Sequence, residues 1–221
     1  MRTLAAVCGL VGALTFLVVG ATSAPLGGLE AFIKDGDGKP IADAVISAVT
    51  AGRPVTIRPA RAIVDQQDKE FVPHVRAVLV GTEVSFPNRD NIRHHVYSFS
   101  PPKKFELPLY RGTEAPPVKF DKPGAVVLGC NIHDWMLGYV YVLDTPYFDT
   151  TAGAGRARIE SMPPGAYEVH VWHPRLPEGG APANQRVTIA TEKDERVEFV
   201  VSLKPELRPR RGPPGPGGPY R

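Results

Sequence analysis

The chain has 221 residues, among them 24 prolines and 22 glycines, with 43% apolar and 22% charged residues and a net charge of +3. That length holds one large domain or two small ones around a real core, and the proline and glycine content favours many turns over long helices. The composition excludes a wholly disordered chain, a collagen-like repeat and a multi-pass membrane protein, and two cysteines cannot make a disulfide-dense scaffold.

The first element is a leader. Met1 and Arg2 precede an apolar run over 4–20 and the small residues Ala21, Thr22, Ser23 and Ala24. This is the layout of a secretory signal peptide, assigned to 1–23; the alternative is an uncleaved membrane anchor, for which the run is short. A leader implies a periplasmic or secreted protein with no stable membrane span after cleavage. It also removes Cys8 and leaves Cys130 alone, so that thiol must be buried, bound to something, or paired with another chain. The other end, 204–221, is rich in Pro, Gly and Arg and reads as a disordered tail. The tail carries five Lys/Arg and one Glu, a net of +4, and the leader +1, which leaves the folded part at about −2. The basic balance therefore belongs to the tail and gives no reason to expect nucleic-acid binding.

Between these ends the chain reads as strands. Short alternating runs recur, punctuated by Gly, Pro, Asn and Asp. Val78–Phe86 places Val84 and Phe86 on one face. Val126, Leu128 and Cys130 share a face, and Tyr139–Leu143 is rich in β-formers. Tyr167, Val169 and Val171 oppose Glu168, His170 and Trp172; Val197, Phe199, Val201 and Leu203 form a last stripe. No stretch of ten residues holds a helical period. With turns such as Asp35-Gly36-Asp37-Gly38 and Pro163-Pro164-Gly165, the expectation is an all-β fold of antiparallel sandwiches.

The chemistry-bearing residues lie between His94 and Met136. Cys130-Asn131-Ile132-His133-Asp134-Trp135-Met136 has the spacing Cys-x2-His-x2-Met and joins two strands. Upstream, Asn88-Arg89-Asp90 leads into His94-His95-Val96. One thiolate, two imidazoles and one thioether form a soft donor set. A His2Cys site with a weak axial Met is the ligand pattern of a blue-copper electron-transfer centre. Taken singly, a Cys on a strand face is a packed residue, a loop Met packs, and strand histidines are hydrogen-bonded. At this spacing and together they point to a metal. Zinc rarely takes Met, a thiolate-bridged two-copper site needs a second Cys, and a Cys130/His133 nucleophilic pair has no third group to orient it.

Residues 62–145 resemble the cupredoxins, the superfamily of plastocyanin, pseudoazurin and amicyanin. The residues that carry the resemblance are Phe71-Val72-Pro73, Val80-Gly81-Thr82-Glu83-Val84-Ser85-Phe86-Pro87-Asn88-Arg89-Asp90, His94 to Ser100, and Leu128 to Met136. The ligand loop is similar in length to that of amicyanin. Fuller agreement is with bacterial plastocyanin-like proteins labelled methylamine utilization proteins. The resemblance implies a Greek-key cupredoxin sandwich and one type 1 copper ion cycling between Cu(I) and Cu(II). It implies His94, Cys130, His133 and Met136 as ligands, and protein redox partners such as a dehydrogenase and a cytochrome. The family has Asn after the upstream His, where this chain has His95; alternation puts His94 with Val96 on the inner face and His95 outside it. Backbone N–H groups of Asn131 and Asp134 are candidates to hydrogen-bond the sulfur. Trp135 either covers the metal edge or packs, and His133 is expected to be the partly exposed ligand.

The flanks, 28–58 and 150–203, resemble a carboxypeptidase-regulatory or transthyretin-like sandwich, which implies a copper domain inserted between two halves of a second module. The alternative is one enlarged sandwich. His170 and His173 lie three apart on a strand and face opposite ways, and His74 has no partner nearby in sequence, so none of the three is expected to be a ligand. Trp172 and Tyr167 are expected to pack in the core. The sequence reading is thus an electron-transfer protein and not an enzyme, with a copper carrier or sensor, or an extracellular binding module, as alternatives.

Overall fold

A computed structural model describes residues 25–50, 55–177 and 183–206. The segment expected to be a leader, 1–23, and residues 207–221 of the expected tail lie outside the described residues. Among the described residues there is no helix, and the chain folds into strands β1 (Gly27–Lys34), β2 (Val45–Val49), β3 (Arg61–Ile63), β4 (Asp65–Gln67), β5 (Glu70–Val72), β6 (Val75–Leu79), β7 (Thr82–Ser85), β8 (His94–Ser98), β9 (Phe105–Tyr110), β10 (Val118–Phe120), β11 (Gly124–Cys130), β12 (Leu137–Leu143), β13 (Phe148–Thr150), β14 (Arg156–Met162), β15 (Gly165–Trp172), β16 (Asn184–Ile189) and β17 (Asp194–Val200).

The period-two patterns become buried faces. In β11, Val126, Leu128 and Cys130 are buried, and in β15 so are Tyr167, Val169 and Val171. The Asp35–Lys39 turn is made by side-chain chemistry: Asp35 Oδ1 accepts the N–H groups of Asp37 at 3.0 Å and Lys39 at 2.8 Å. Gly38 takes the left-handed φ of +81° that closes it.

Two cores result. A five-stranded sheet in the order β6-β12-β11-β8-β9 faces a three-stranded sheet, β10-β7-β3. They share one cluster that includes Phe86, Val96, Phe120, Val126, Leu128, Cys130, Met136 and Val140. Phe120 sits in the middle of this cluster, with its ring 6.5 Å from Phe86 and 6.0 Å from Phe105. The second pair of sheets is β14-β1-β17 and β13-β2-β15-β16. Its cluster is drawn from both ends of the chain, from Leu29 to Ala48 and from Ala157 to Val201. A small third cluster joins the two: Val45 meets Val75 and Leu143, and Tyr141 stacks on Trp172 at 4.2 Å with 8° between the rings.

The expectation of antiparallel pairing throughout is corrected at three places. β1 pairs with β17, β6 with β12, and β3 with β7 in parallel. Each parallel pair joins strands distant in the sheet's path, where no tight hairpin dictates the direction. The run Val78–Phe86 is likewise two strands, not one. Gly81 at φ +86° turns the chain, so β6 lies in the five-stranded sheet and β7 in the facing one.

Candidate metal centre

His94 opens β8 and Cys130 closes β11, and the two strands are antiparallel neighbours, with Cys130 opposite Val96 and Gly129 opposite Tyr97. Because His94 and Val96 share the inner face, this pairing points His94 and Cys130 into the same space. The loop 131–136 then turns back into β12. The Met136 N–H donates to the His133 carbonyl at 2.9 Å, which closes the turn and brings His133 under the sulfur. His94 Nδ1 lies 3.8 Å and His133 Nδ1 3.7 Å from Cys130 Sγ. The three donor atoms fall within 4.8 Å of one another. His94 is 0% exposed, Met136 1%, Cys130 4% and His133 7%.

These distances test whether an ion fits. With about 2.0 Å to an imidazole nitrogen and about 2.3 Å to a thiolate sulfur, donors 120° apart lie about 3.7 Å from each other, and donors at the tetrahedral angle about 3.5 Å. The observed nitrogen–sulfur separations match the trigonal value. Each imidazole nitrogen therefore already stands at the distance from the sulfur that a shared ion needs. Met136 is buried in the same cluster as Cys130, as a fourth, softer donor would be.

The local electrostatics shift Cys130 toward its ligating thiolate and His94 toward the imidazolium, whose Nδ1 proton a metal would displace. Burial pushes the Cys130 thiol up, but the His94 imidazole and the backbone N–H groups of His95 and Ile132 more than offset it, so the thiol ionises more readily than usual. Burial pulls His94 down, yet Cys130 and Asp90 together hold it above the ordinary imidazole value. The sulfur's amide partners are thus His95 and Ile132, not the expected Asn131 and Asp134. The register explains it: His95 lies on the strand beside Cys130, and Ile132 is the residue whose N–H turns inward at the start of the loop.

Asp90 escaped the sequence reading as a site residue. Its Oδ2 lies 2.7 Å from His94 Nε2. The pattern Asp-x3-His was visible, but only the turn between them brings the carboxylate back to the ring. His95, by contrast, points away from the sulfur. Its Nε2 is 3.0 Å from Glu106 Oε1 at an angle that misses a hydrogen bond, and its ring lies 6.0 Å from that of Tyr97. The remaining histidines stay apart from the centre. His74 Nδ1 meets the Leu137 carbonyl at 3.0 Å, His170 is half-buried on β15, and His173 Nδ1 accepts the Arg175 N–H at 3.1 Å. His133 is more enclosed than expected, because the Trp135 ring lies against it, 5.2 Å between centroids. Trp135 and Asp134 in turn border a cavity of about 690 Å³ that reaches His74 and His173.

No family model matches the chain, and no curated protein matches it. Solved structures similar to part of it are cupredoxins and a copper enzyme. A purple cupredoxin from Nitrosopumilus maritimus is 23% identical over 38% of this chain and 99% of its own, with a TM-score of 0.33. A reduced amicyanin variant is 25% identical over 37% of this chain and 80% of its own, with a TM-score of 0.34. The copper-containing nitrite reductase of Thermus scotoductus SA-01 is 24% identical over 52% of this chain and 28% of its own, with a TM-score of 0.36.

Proposed function

We propose that this protein is a type 1 copper protein that passes single electrons between protein redox partners, with His94, Cys130 and His133 as the ligand plane and Met136 as the weak axial ligand. The observation that carries the reading is the buried His94–Cys130–His133 cluster, with both imidazole nitrogens 3.7–3.8 Å from the sulfur. Bound copper supplies a one-electron Cu(I)/Cu(II) couple. The chain supplies the rest. Cys130 gives a thiolate, its thiol made more acidic by His94 and two amides. β8 and β11 fix two of the donors, and the turn from His133 to Met136 fixes the others, so little has to move when charge changes. Zinc is the poorer fit, since its structural sites are tetrahedral and rarely include Met.

Burial supports the shuttle over the carrier. A carrier must let an acceptor reach its ion, and all four proposed ligands are shielded from solvent. The electron's way out in this reading is through His133, which lies against Trp135 beside the exposed Ile132. In this reading the partners are redox proteins such as a dehydrogenase and a cytochrome, and the apolar run over 4–20, read as a leader, supports a periplasmic or secreted location. The flanking strands, which have their own core, form a discontinuous transthyretin-like sandwich over 28–58 and 150–203, around a copper module over 62–145.

Copper retention under turnover tests the assignment. The full chain loaded with one copper and cycled repeatedly between ascorbate and ferricyanide in the presence of a Cu(I) chelator keeps its metal if it is a shuttle. Transfer of the copper to the chelator within the first reductions establishes the carrier instead.

A further inference from the structure

We propose that Asp90 is a positioning residue of the metal centre, whose carboxylate fixes His94 with Nε2 protonated and Nδ1 free to ligate, and whose charge favours the oxidised ion. The inference rests on the copper reading above.

The geometry is direct. A neutral imidazole carries one N–H, and a carboxylate offers only acceptors. With Asp90 Oδ2 at 2.7 Å from Nε2, the proton must sit on Nε2. The lone pair then sits on Nδ1, the atom that faces Cys130 Sγ. Outer carboxylates of this kind set the tautomer and raise the basicity of a ligating histidine.

Asp90 is itself held from two sides. Its Oδ1 accepts the Asp68 N–H at 2.7 Å, and its Oδ2 also accepts the Lys69 N–H at 2.8 Å. Asp68 and Lys69 form the tip of the β4–β5 hairpin and both take left-handed φ values, +55° and +61°. That conformation aims successive amides at one anion. The Asp90 N–H donates to Asn88 Oδ1 at 3.0 Å, and Asn88 Nδ2 donates to the Tyr110 carbonyl at 2.9 Å. The hairpin is anchored in turn. Gln66 Nε2 donates to the Phe86 carbonyl at 3.0 Å, and Asp65 pairs with Arg89. β5 is able to lie close over β12 because position 138 is glycine; a Cβ there would sit 2.7 Å from that of Phe71. The carboxylate is thus fixed where it touches the ring edge opposite the sulfur, and it is mostly shielded from water. A fixed negative charge at that point stabilises the doubly charged ion more than the singly charged one.

Asp90→Asn separates charge from position. The amide oxygen still accepts from Nε2 and from Lys69, while the exposed Asp68 N–H loses its carboxylate acceptor and turns to water. The variant is expected to keep the Cu(II)–thiolate band and to lose about tenfold in Cu(II) affinity relative to Cu(I). That loss is an upward shift of about 59 mV for one electron. A residue that only supported the fold would lower the melting temperature and leave the potential in place. The wild type supplies a second readout that does not depend on a folded variant. In the diamagnetic Cu(I) form, NMR should find a slowly exchanging, downfield Nε2–H on His94. An unchanged potential in copper-loaded Asp90→Asn, or a His94 Nε2–H that exchanges freely in the wild type, overturns this inference alone. A wild type that never develops the Cu(II)–thiolate band overturns the copper reading and this inference together.

Discussion

Acidification should destabilise this fold through one buried histidine. His173 is 8% exposed and follows β15 at the wall of the cavity behind the metal loop. Burial comes first in lowering its pKa, the charges of Arg175 and His74 add to that, and the Ala42 backbone and Glu206 only partly oppose them, so the imidazole is pulled down to about 4. The sign follows from linkage. Above the unfolded value of 6.5 the ring is neutral in both states and costs nothing. Between 6.5 and about 4 the unfolded chain takes up a proton that the folded chain refuses, and stability falls with pH. Each pH unit removes about 1.4 kcal/mol, so about 3 kcal/mol is lost over the interval. Against a usual total of about 5–15 kcal/mol, that is a large share. His173→Asn keeps an acceptor for the Arg175 N–H and removes the titration. Urea unfolding of the copper-free chain at steps from pH 7 to pH 4 reads the effect as a difference between wild type and variant. The wild type should lose about 3 kcal/mol relative to the variant over that range. A difference that stays flat across those steps refutes the reasoning.

Phe120 is fully buried between the two sheets of the first sandwich. Phe120→Ala should cost about 3–5 kcal/mol and lower the melting temperature by about 6–20 °C for a fold of this size; a fall of less than about 3 °C would mean the sheets are not packed through it. Met136→Leu should keep the copper and raise the reduction potential, by about 59 mV for each tenfold loss in Cu(II) affinity relative to Cu(I). Protein-film voltammetry reads the shift, and an unchanged or lowered potential counts against Met136 as the axial ligand.

The strand faces and the Cys130–Met136 loop were legible because both are local. Val126, Leu128 and Cys130 alternate at period two, and Cys-x2-His-x2-Met fits on one turn between two strands. Alternation also told the inward-facing His94 from His95: the first is fully buried, and the second turns toward Glu106. What stayed hidden depends on residues far apart in sequence. Asp90 was visible four residues before His94, yet its role needs the β4–β5 hairpin to supply two amides. The amides of His95 and Ile132, which face the sulfur, follow from strand register rather than from loop sequence. The parallel pairs β1–β17 and β6–β12 close sheets between distant segments, so no turn between them announces the direction. The enclosure of His133 by Trp135 is a matter of loop packing, which the spacing of the ligands does not specify.

The most direct test of the copper assignment is the visible absorption spectrum of the purified full chain after Cu(II) is added and the excess removed. An intense blue or green band that ascorbate bleaches, present in the wild type and absent in Cys130→Ser, is the expected result, because only a Cu(II)–thiolate bond to Cys130 produces it here. A wild-type chain that stays colourless, or a Cys130→Ser chain that keeps the band, contradicts the account.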